Sequence, residues 1–302
     1  MIALVLVLAI ILIYWYVVRF AFNQCINSHK KNKEESMNLL TKRGIYDIKE
    51  YDFLQFENLE IESDDGCKLK GYYLDFFPES KKVIIISHGY TGNHYMSLQF
   101  LNIFKSEGFN VLLIDVRAHG DSGGVYPTYG ILEQKDLDKW VNLMKVKVGD
   151  DITIGLHGQS MGAATVLMYG GKHYDKINFI IADCGYSNGK ELLKYKFKLS
   201  KVPFAPFYPI LNLVFKIKCK FSMNDVSPID DIKNSEIPTL FIHGTKDITV
   251  PVWMSKEMYK AKKGNKNEIY IVEGANHVCS YDVNEEEYKK TVKNFIKNVM
   301  SL

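Results

Sequence analysis

Six short, nearly continuous apolar runs constrain this chain's fold more than any other feature. They lie at residues 83–86, 111–114, 152–156, 179–181, 239–242 and 269–272. Such runs suit parallel strands buried on both faces, whereas a half-exposed strand alternates apolar and polar residues. Between the runs lie patterns of helical period near 95–107, 134–146, 162–170, 251–262 and 284–299. This alternation predicts an α/β fold with a mostly parallel central sheet and helices on both faces. Two earlier segments, 56–62 and 68–76, do alternate, and they are expected to be half-exposed antiparallel strands. Ligands of such sheets sit beyond the carboxyl ends of the strands. The chemistry is therefore sought immediately after each run.

The amino terminus has a different character. Residues 2–18 carry no charge, and the apolar run resumes after Arg19 as far as Phe22. About 20 apolar residues suffice to cross a hydrocarbon core as a helix. Arg19 can snorkel, and Tyr14, Trp15 and Tyr16 suit the headgroup level. A cleaved signal peptide fits less well, because there is no basic leader, the run is long and no small-x-small site follows. Residues 1–22 are thus expected to form a single-pass membrane anchor, and 23–50 a polar juxtamembrane segment, either a stalk or a packing helix. Arg19, Lys30, Lys31 and Lys33 follow the span, and the positive-inside rule then puts the large domain in the cytoplasm. The net charge of +3 gives no argument for nucleic acid, and no Cys-x-x-Cys pair suggests zinc. The five cysteines are scattered and odd in number, which argues against a disulfide framework.

After the third of the buried runs comes Gly158-Gln159-Ser160-Met161-Gly162, followed by a helix-forming stretch. Strand, sharp turn and helix with serine at the apex is the nucleophile-elbow pattern. A side chain two residues either side of the serine would collide with the crowded turn. A serine hydroxyl needs a base, and His277 follows the last run, in Gly274-Ala275-Asn276-His277. Asp247 follows the run before it, in Gly244-Thr245-Lys246-Asp247. The order Ser160, Asp247, His277 is the one this pattern leads one to expect. Asp183 occupies a similar strand-end position and is the rival acid. Candidate oxyanion donors are the backbone N–H groups of Met161 and of Tyr90, the latter in Ser87-His88-Gly89-Tyr90. The Asp115–Gly124 stretch fits neither a zinc pattern nor a phosphate loop, and reads as shaping of the pocket floor.

With these residues together, the chain resembles the α/β-hydrolase superfamily, in particular bacterial esterase and lysophospholipase-like serine hydrolases. The resemblance rests on His88-Gly89-Tyr90, residues 115–122, Gly158–Gly162, residues 243–247 and Gly274–His277, and covers about 56–300. It implies an α/β-hydrolase domain over 51–302, a Ser160–His277–Asp247 triad, an acyl-enzyme, and no metal or organic cofactor. The insertion at about 186–226 resembles a small helical cap over the active site. Eight lysines between Lys190 and Phe221 face Glu191 alone, interleaved with aromatic residues, while Pro203, Pro206 and Pro209 are expected to break its middle. A basic, aromatic cap beside a membrane anchor suggests anionic headgroups and a lipid-like or acylated substrate. The expected activity is carboxylic-ester hydrolysis. A thioesterase or serine peptidase would use the same triad, and a non-catalytic binding protein would be expected to have lost part of it.

Overall fold

The computed structural model describes residues 2–301. Eight strands form one sheet: β1 (Glu57–Glu62), β2 (Lys68–Leu74), β3 (Lys82–Ser87), β4 (Asn110–Ile114), β5 (Thr153–Gln159), β6 (Phe179–Asp183), β7 (Thr239–Gly244) and β8 (Glu268–Val272). Their order is β1-β2-β4-β3-β5-β6-β7-β8, antiparallel at β1/β2 and β2/β4 and parallel from β4 onward. This is the α/β-hydrolase fold.

Side chains alternate across each strand, so one run feeds two cores. Ile84 and Ile86 join Val111, Leu113, Phe104 and Phe295 on one face. Val83 and Ile85 join Leu112, Trp140, Leu167 and Phe241 on the other. β3 to β7 are buried almost throughout, as the runs imply. β8 departs from that expectation. It pairs only with β7, and all but Val272 remain partly exposed. An edge strand has one neighbour, so its side chains are less covered, although Tyr270 and Val272 pack on one core and Ile269 on the other.

The helical pattern near 95–107 resolves into a 3₁₀ segment, His94–Phe100, followed by an α-helix, Leu101–Ser106. In the 23–50 segment, Lys33–Arg43 is helical. Asn32 and Glu35 close its first turn with a capping box, and Gly44, at φ 70°, ends it in the left-handed conformation. Met37 and Leu40 of this helix are buried in the first core.

Between β6 and β7, the helices Gly189–Leu199 and Phe204–Val214 and a π turn, Phe215–Cys219, cover the strand ends. Their Leu193, Phe197, Leu211 and Phe215 pack with Met161, Tyr186 and Val250. The prolines do not break this layer. Pro203 precedes the helix Phe204–Val214, and Pro206 lies in its first turn, where the missing N–H would have had no acceptor. Pro209 alone removes a helical hydrogen bond.

The apolar amino-terminal segment is one helix, Ile2–Ile26. Its second half docks on the inserted helices. Tyr14 stacks on Phe207 with ring centroids 4.8 Å apart, and its hydroxyl donates to the Pro206 carbonyl. Val18, Phe22 and Ile26 are buried in the same cluster. Each such side chain stabilises the contact by about 1.5–3 kcal/mol relative to exposure. By contrast, Ile10, Leu12 and Ile13 are among many residues of the first half left exposed.

Candidate active site

β3 and β5 are neighbours in register, with Ser87 opposite Gly158. The two turns that leave them therefore emerge side by side. Ser160 stands between β5 and the helix Met161–Lys172 at φ 54°, a backbone region that a residue with a Cβ rarely occupies. Surrounding geometry holds it there. A Cβ on Gly162 would lie 2.1 Å from the Ser87 carbonyl oxygen, and one on Gly158 would lie 2.3 Å from the Gly162 oxygen. Only glycine lets these backbones approach so closely. The Ser160 N–H donates to the Asp183 carbonyl at 2.8 Å, tying the turn to β6.

His277 reaches Ser160 from the loop after β8. Its Nε2 lies 2.8 Å from Ser160 Oγ, and its Nδ1 lies 2.6 Å from Asp247 Oδ2. An ionised carboxylate only accepts, so Nδ1–H donates to Asp247 and Nε2 is left to accept from the serine hydroxyl. Asp247 is buried, and its other oxygen accepts from the N–H groups of Thr249 and Val250, each at 2.8 Å. Burial pushes the Asp247 carboxyl up. Hydrogen bonds from His243 and His277 and the His277 charge outweigh that effect and hold it well below the usual carboxylate range.

Sequence reasoning assigned no role to His243, on β7. Its Nε2 lies 3.2 Å from Asp247 Oδ2 and 2.8 Å from the Val250 carbonyl, while Nδ1 lies 2.7 Å from Ser255 Oγ. Its Nε2–H donates to the Val250 carbonyl, so the ring ties down the loop that holds Asp247 and packs against the carboxylate. Its position four residues before Asp247 was the available signal, but strand burial hides its meaning.

Asp183 sits apart from the histidine. Its Oδ2 accepts from Gln159 Nε2 and from the Tyr288 hydroxyl, each at 3.2 Å. Burial pushes its carboxyl up to about 6, against the lowering effects of Gln159, His243 and Tyr288. In an unfolded chain an aspartate titrates near 3.9. Between these values the folded state keeps a proton that the unfolded state has lost, so this group's contribution to stability falls as pH rises from about 4 to about 6. Asp183→Asn is expected to remove that slope. Thermal unfolding between pH 4 and 7 should show the variant gaining on the parent as pH rises, and an equal pH response in both would refute this account.

The other strand-end groups arrange the turn beside the serine. A Cβ on Gly89 would sit 3.2 Å from Ser160 Cβ, so the 88–90 turn abuts the elbow. His88 accepts from the Val116 N–H at 3.1 Å through Nε2, and its Nδ1 lies 2.8 Å from the Gly89 carbonyl. Met161 begins its helix, so its N–H has no acceptor within that helix. The Tyr90 hydroxyl accepts from the Ser28 N–H at 3.2 Å, and the Lys31 N–H donates to the Thr91 carbonyl at 2.9 Å. The segment following the amino-terminal helix thus braces this turn.

Residues 115–124 form a clasp. Asp115 accepts from the N–H groups of His94 and Asp121 at 2.7 and 2.8 Å, and Arg117 pairs with Asp136 at 2.6 Å and Asp65 at 2.8 Å. Cys184 offers Sγ within 4.8 Å of the Asp247 and His277 ligand atoms. Burial raises the Cys184 thiol well above its ordinary range, and the other two groups are already bonded to each other, so this set suits a metal poorly. A cavity of about 390 Å³ lined by Tyr46, Phe53, Leu74, Phe76 and Lys105 lies at the other end of the sheet, where β2 finishes beside the start of β4.

The sequence profile of the prolyl oligopeptidase family matches residues 95–302. The uncharacterized protein YqkD of Bacillus subtilis is 38% identical over 277 residues, which cover 89% of this chain and 88% of that protein. The uncharacterized membrane protein YNL320W of Saccharomyces cerevisiae is 22% identical over 219 residues, covering 72% of each chain. Among solved structures, the esterase Pf2001 of Pyrococcus furiosus superposes with a TM-score of 0.67 at 29% identity, covering 84% of this chain and 96% of that one.

Proposed function

Because the chain belongs to the prolyl oligopeptidase family and has the α/β-hydrolase fold, we propose that it is a membrane-anchored serine hydrolase that cleaves carboxylic esters through an acyl-enzyme on Ser160. The observation that carries this reading is the continuous hydrogen-bonded row from Asp247 through His277 to Ser160. In the proposed reaction, His277 Nε2 takes the hydroxyl proton as Ser160 Oγ attacks the acyl carbon. The N–H groups of Tyr90 and Met161 hold the developing oxyanion. The imidazolium, steadied by Asp247, returns its proton to the departing alkoxide. Water then repeats the sequence and frees the acid.

The likeness to a Pyrococcus esterase supports ester substrates. The family's name raises peptides as the second reading, because amide cleavage needs the same groups. The helix Ile2–Ile26 is long and apolar enough to cross a bilayer, and the yeast relative is described as a membrane protein. These support residues 1–22 as the anchor. The lysines after the span support a cytoplasmic domain. The basic, aromatic segment at about 186–226 supports a cap that meets lipid-like or acylated substrates.

A fluorophosphonate probe tests the chemistry. The native full chain should become covalently labelled on the peptide that contains Ser160, and heat-unfolded protein should not. Labelling elsewhere, or none on folded protein, would remove the serine-hydrolase reading. A parallel series of acyl esters and acyl amides then separates esterase from peptidase.

A further inference from the structure

The lysines of the inserted segment are not alike. From Lys190 to Lys220 all are exposed except Lys196, which is half-buried. Its place on the helix Gly189–Leu199 explains the difference. The buried residues of that helix are Gly189, Leu192, Leu193 and Phe197. At about 100° per residue they span an arc of about 140°, and Lys196 falls inside it, about 40° from Leu192. Lys190, Lys194 and Lys198 fall outside the arc. A core-facing position thus carries an ammonium where the pattern calls for an apolar side chain.

The reaction centre lies beneath that arc. Leu193 and Phe197 pack in one cluster with Met161, which follows Ser160, and with Val250, whose N–H holds Asp247. A helical side chain leans toward the amino end of its helix, so the Lys196 stem covers the turn of Leu192 and Leu193. Burial holds its ammonium below the usual lysine range, and Asp247 and Cys25 act in the opposite sense. These two groups mark the two sides of the site. Asp247 is the partner of His277. The Cys25 carbonyl accepts from the Tyr129 hydroxyl at 2.8 Å, and the Tyr129 ring lies 6.1 Å from that of Tyr90 in the oxyanion turn.

Among the described residues Lys196 makes no ion pair and no side-chain hydrogen bond, while Glu191, the one acid of the segment, pairs with exposed Lys194 at 3.4 Å. The Asp247 oxygens are taken by His277 and by the N–H groups of Thr249 and Val250. A charge drawn partly out of water is costly unless an opposite charge meets it. We propose that Lys196 is the specificity residue of this site, and that the preferred substrate is an ester carrying an anionic group, phosphate or carboxylate, close to the scissile bond. This rests on the esterase reading above and narrows its substrate class. The anion supplies the partner that the folded chain lacks, in a place where little water competes. A neutral ester of the same size leaves the ammonium unpaired and is turned over less well.

Matched ester pairs, given to the full chain in neutral detergent, test the choice and locate the anion. Nitrophenyl adipate with a free carboxylate is compared with its methyl ester, and butyryl glycerol phosphate with monobutyrin. The first pair reports an anion on the acyl side, the second an anion on the alcohol side. The parent should favour the anionic member of at least one pair by about ten-fold or more in kcat/KM, as a charge-assisted bond implies. Lys196→Met should bring that ratio close to one, and Lys196→Arg should keep most of it. Lys198→Met, on the exposed face of the same helix, should leave it unchanged. No preference in the parent, or a preference that survives in Lys196→Met, would overturn the proposal.

Hexyl phosphate gives a readout that needs no turnover. At saturation it should raise the melting temperature of the parent and of Lys196→Arg by about 2 °C or more, and that of Lys196→Met not at all. No shift in the parent, or an equal shift in Lys196→Met, would overturn the anion site on its own. If the parent turns over none of these esters yet shows the shift that depends on Lys196, the esterase reading fails and the anion site stands.

Discussion

Ser160→Ala is expected to lower turnover of a short soluble ester by about 10⁴- to 10⁶-fold. The hydroxyl is the only atom lost. In the structure its partner is His277 Nε2, at 2.8 Å. Alanine keeps a Cβ, so the turn keeps the strain of its positive φ and gains no new clash. The melting temperature should therefore stay within about 3 °C, since a small change without a buried orphan shifts stability little. Steady-state hydrolysis and thermal unfolding on the same preparation separate the two effects. Residual turnover near one tenth of the parent's would mean that Ser160 is not the nucleophile. Loss of turnover together with a large fall in melting temperature would assign the hydroxyl a structural role.

Asp247→Asn should cost about 10³- to 10⁴-fold in kcat/KM, while Asp183→Asn should stay within about ten-fold of the parent. The reason lies in proton placement. Asp247 accepts from His277 Nδ1, which leaves Nε2 free to receive the serine proton. An asparagine at 247 meets the backbone N–H groups of Thr249 and Val250 with its oxygen, so its amide group faces His277. Two donors then oppose each other. The ring relieves this by moving its proton to Nε2, and it can no longer act as a base. Asp183 has no such link, being bonded to Gln159 and Tyr288. Equal losses in the two variants, or a larger loss at 183, would reverse this assignment of the acid.

Much of this architecture is legible in the sequence because it is written locally. A buried parallel strand must be apolar throughout, and β3 to β7 announce themselves in that way. The elbow is equally local, because Gly158 and Gly162 answer to clashes within a few residues and with one adjacent strand. The order of strand ends separated Asp247 from Asp183, whose positions look alike in isolation. Other features depend on neighbours distant in the chain. The exposure of β8 follows from being last in the sheet, which its own residues do not record. The role of His243 appears only when Asp247, Val250 and Ser255 converge on one ring. The three prolines read as breakers until one sees that the first two occupy positions where a helix has no use for the missing N–H. Nothing in residues 14–26 reveals that they dock on a segment almost two hundred positions away.

That docking has a consequence for the birth of the protein. The Tyr14 hydroxyl finds its acceptor 192 residues further along the chain. At about 5–20 residues per second, a ribosome needs roughly 10–40 s to supply that partner. Throughout this interval Val18, Phe22 and Ile26 lack the inserted helices that bury them in the folded chain. Biosynthesis thus sets an order: the helix is made long before the segment that covers it, and that later segment must find it rather than the reverse.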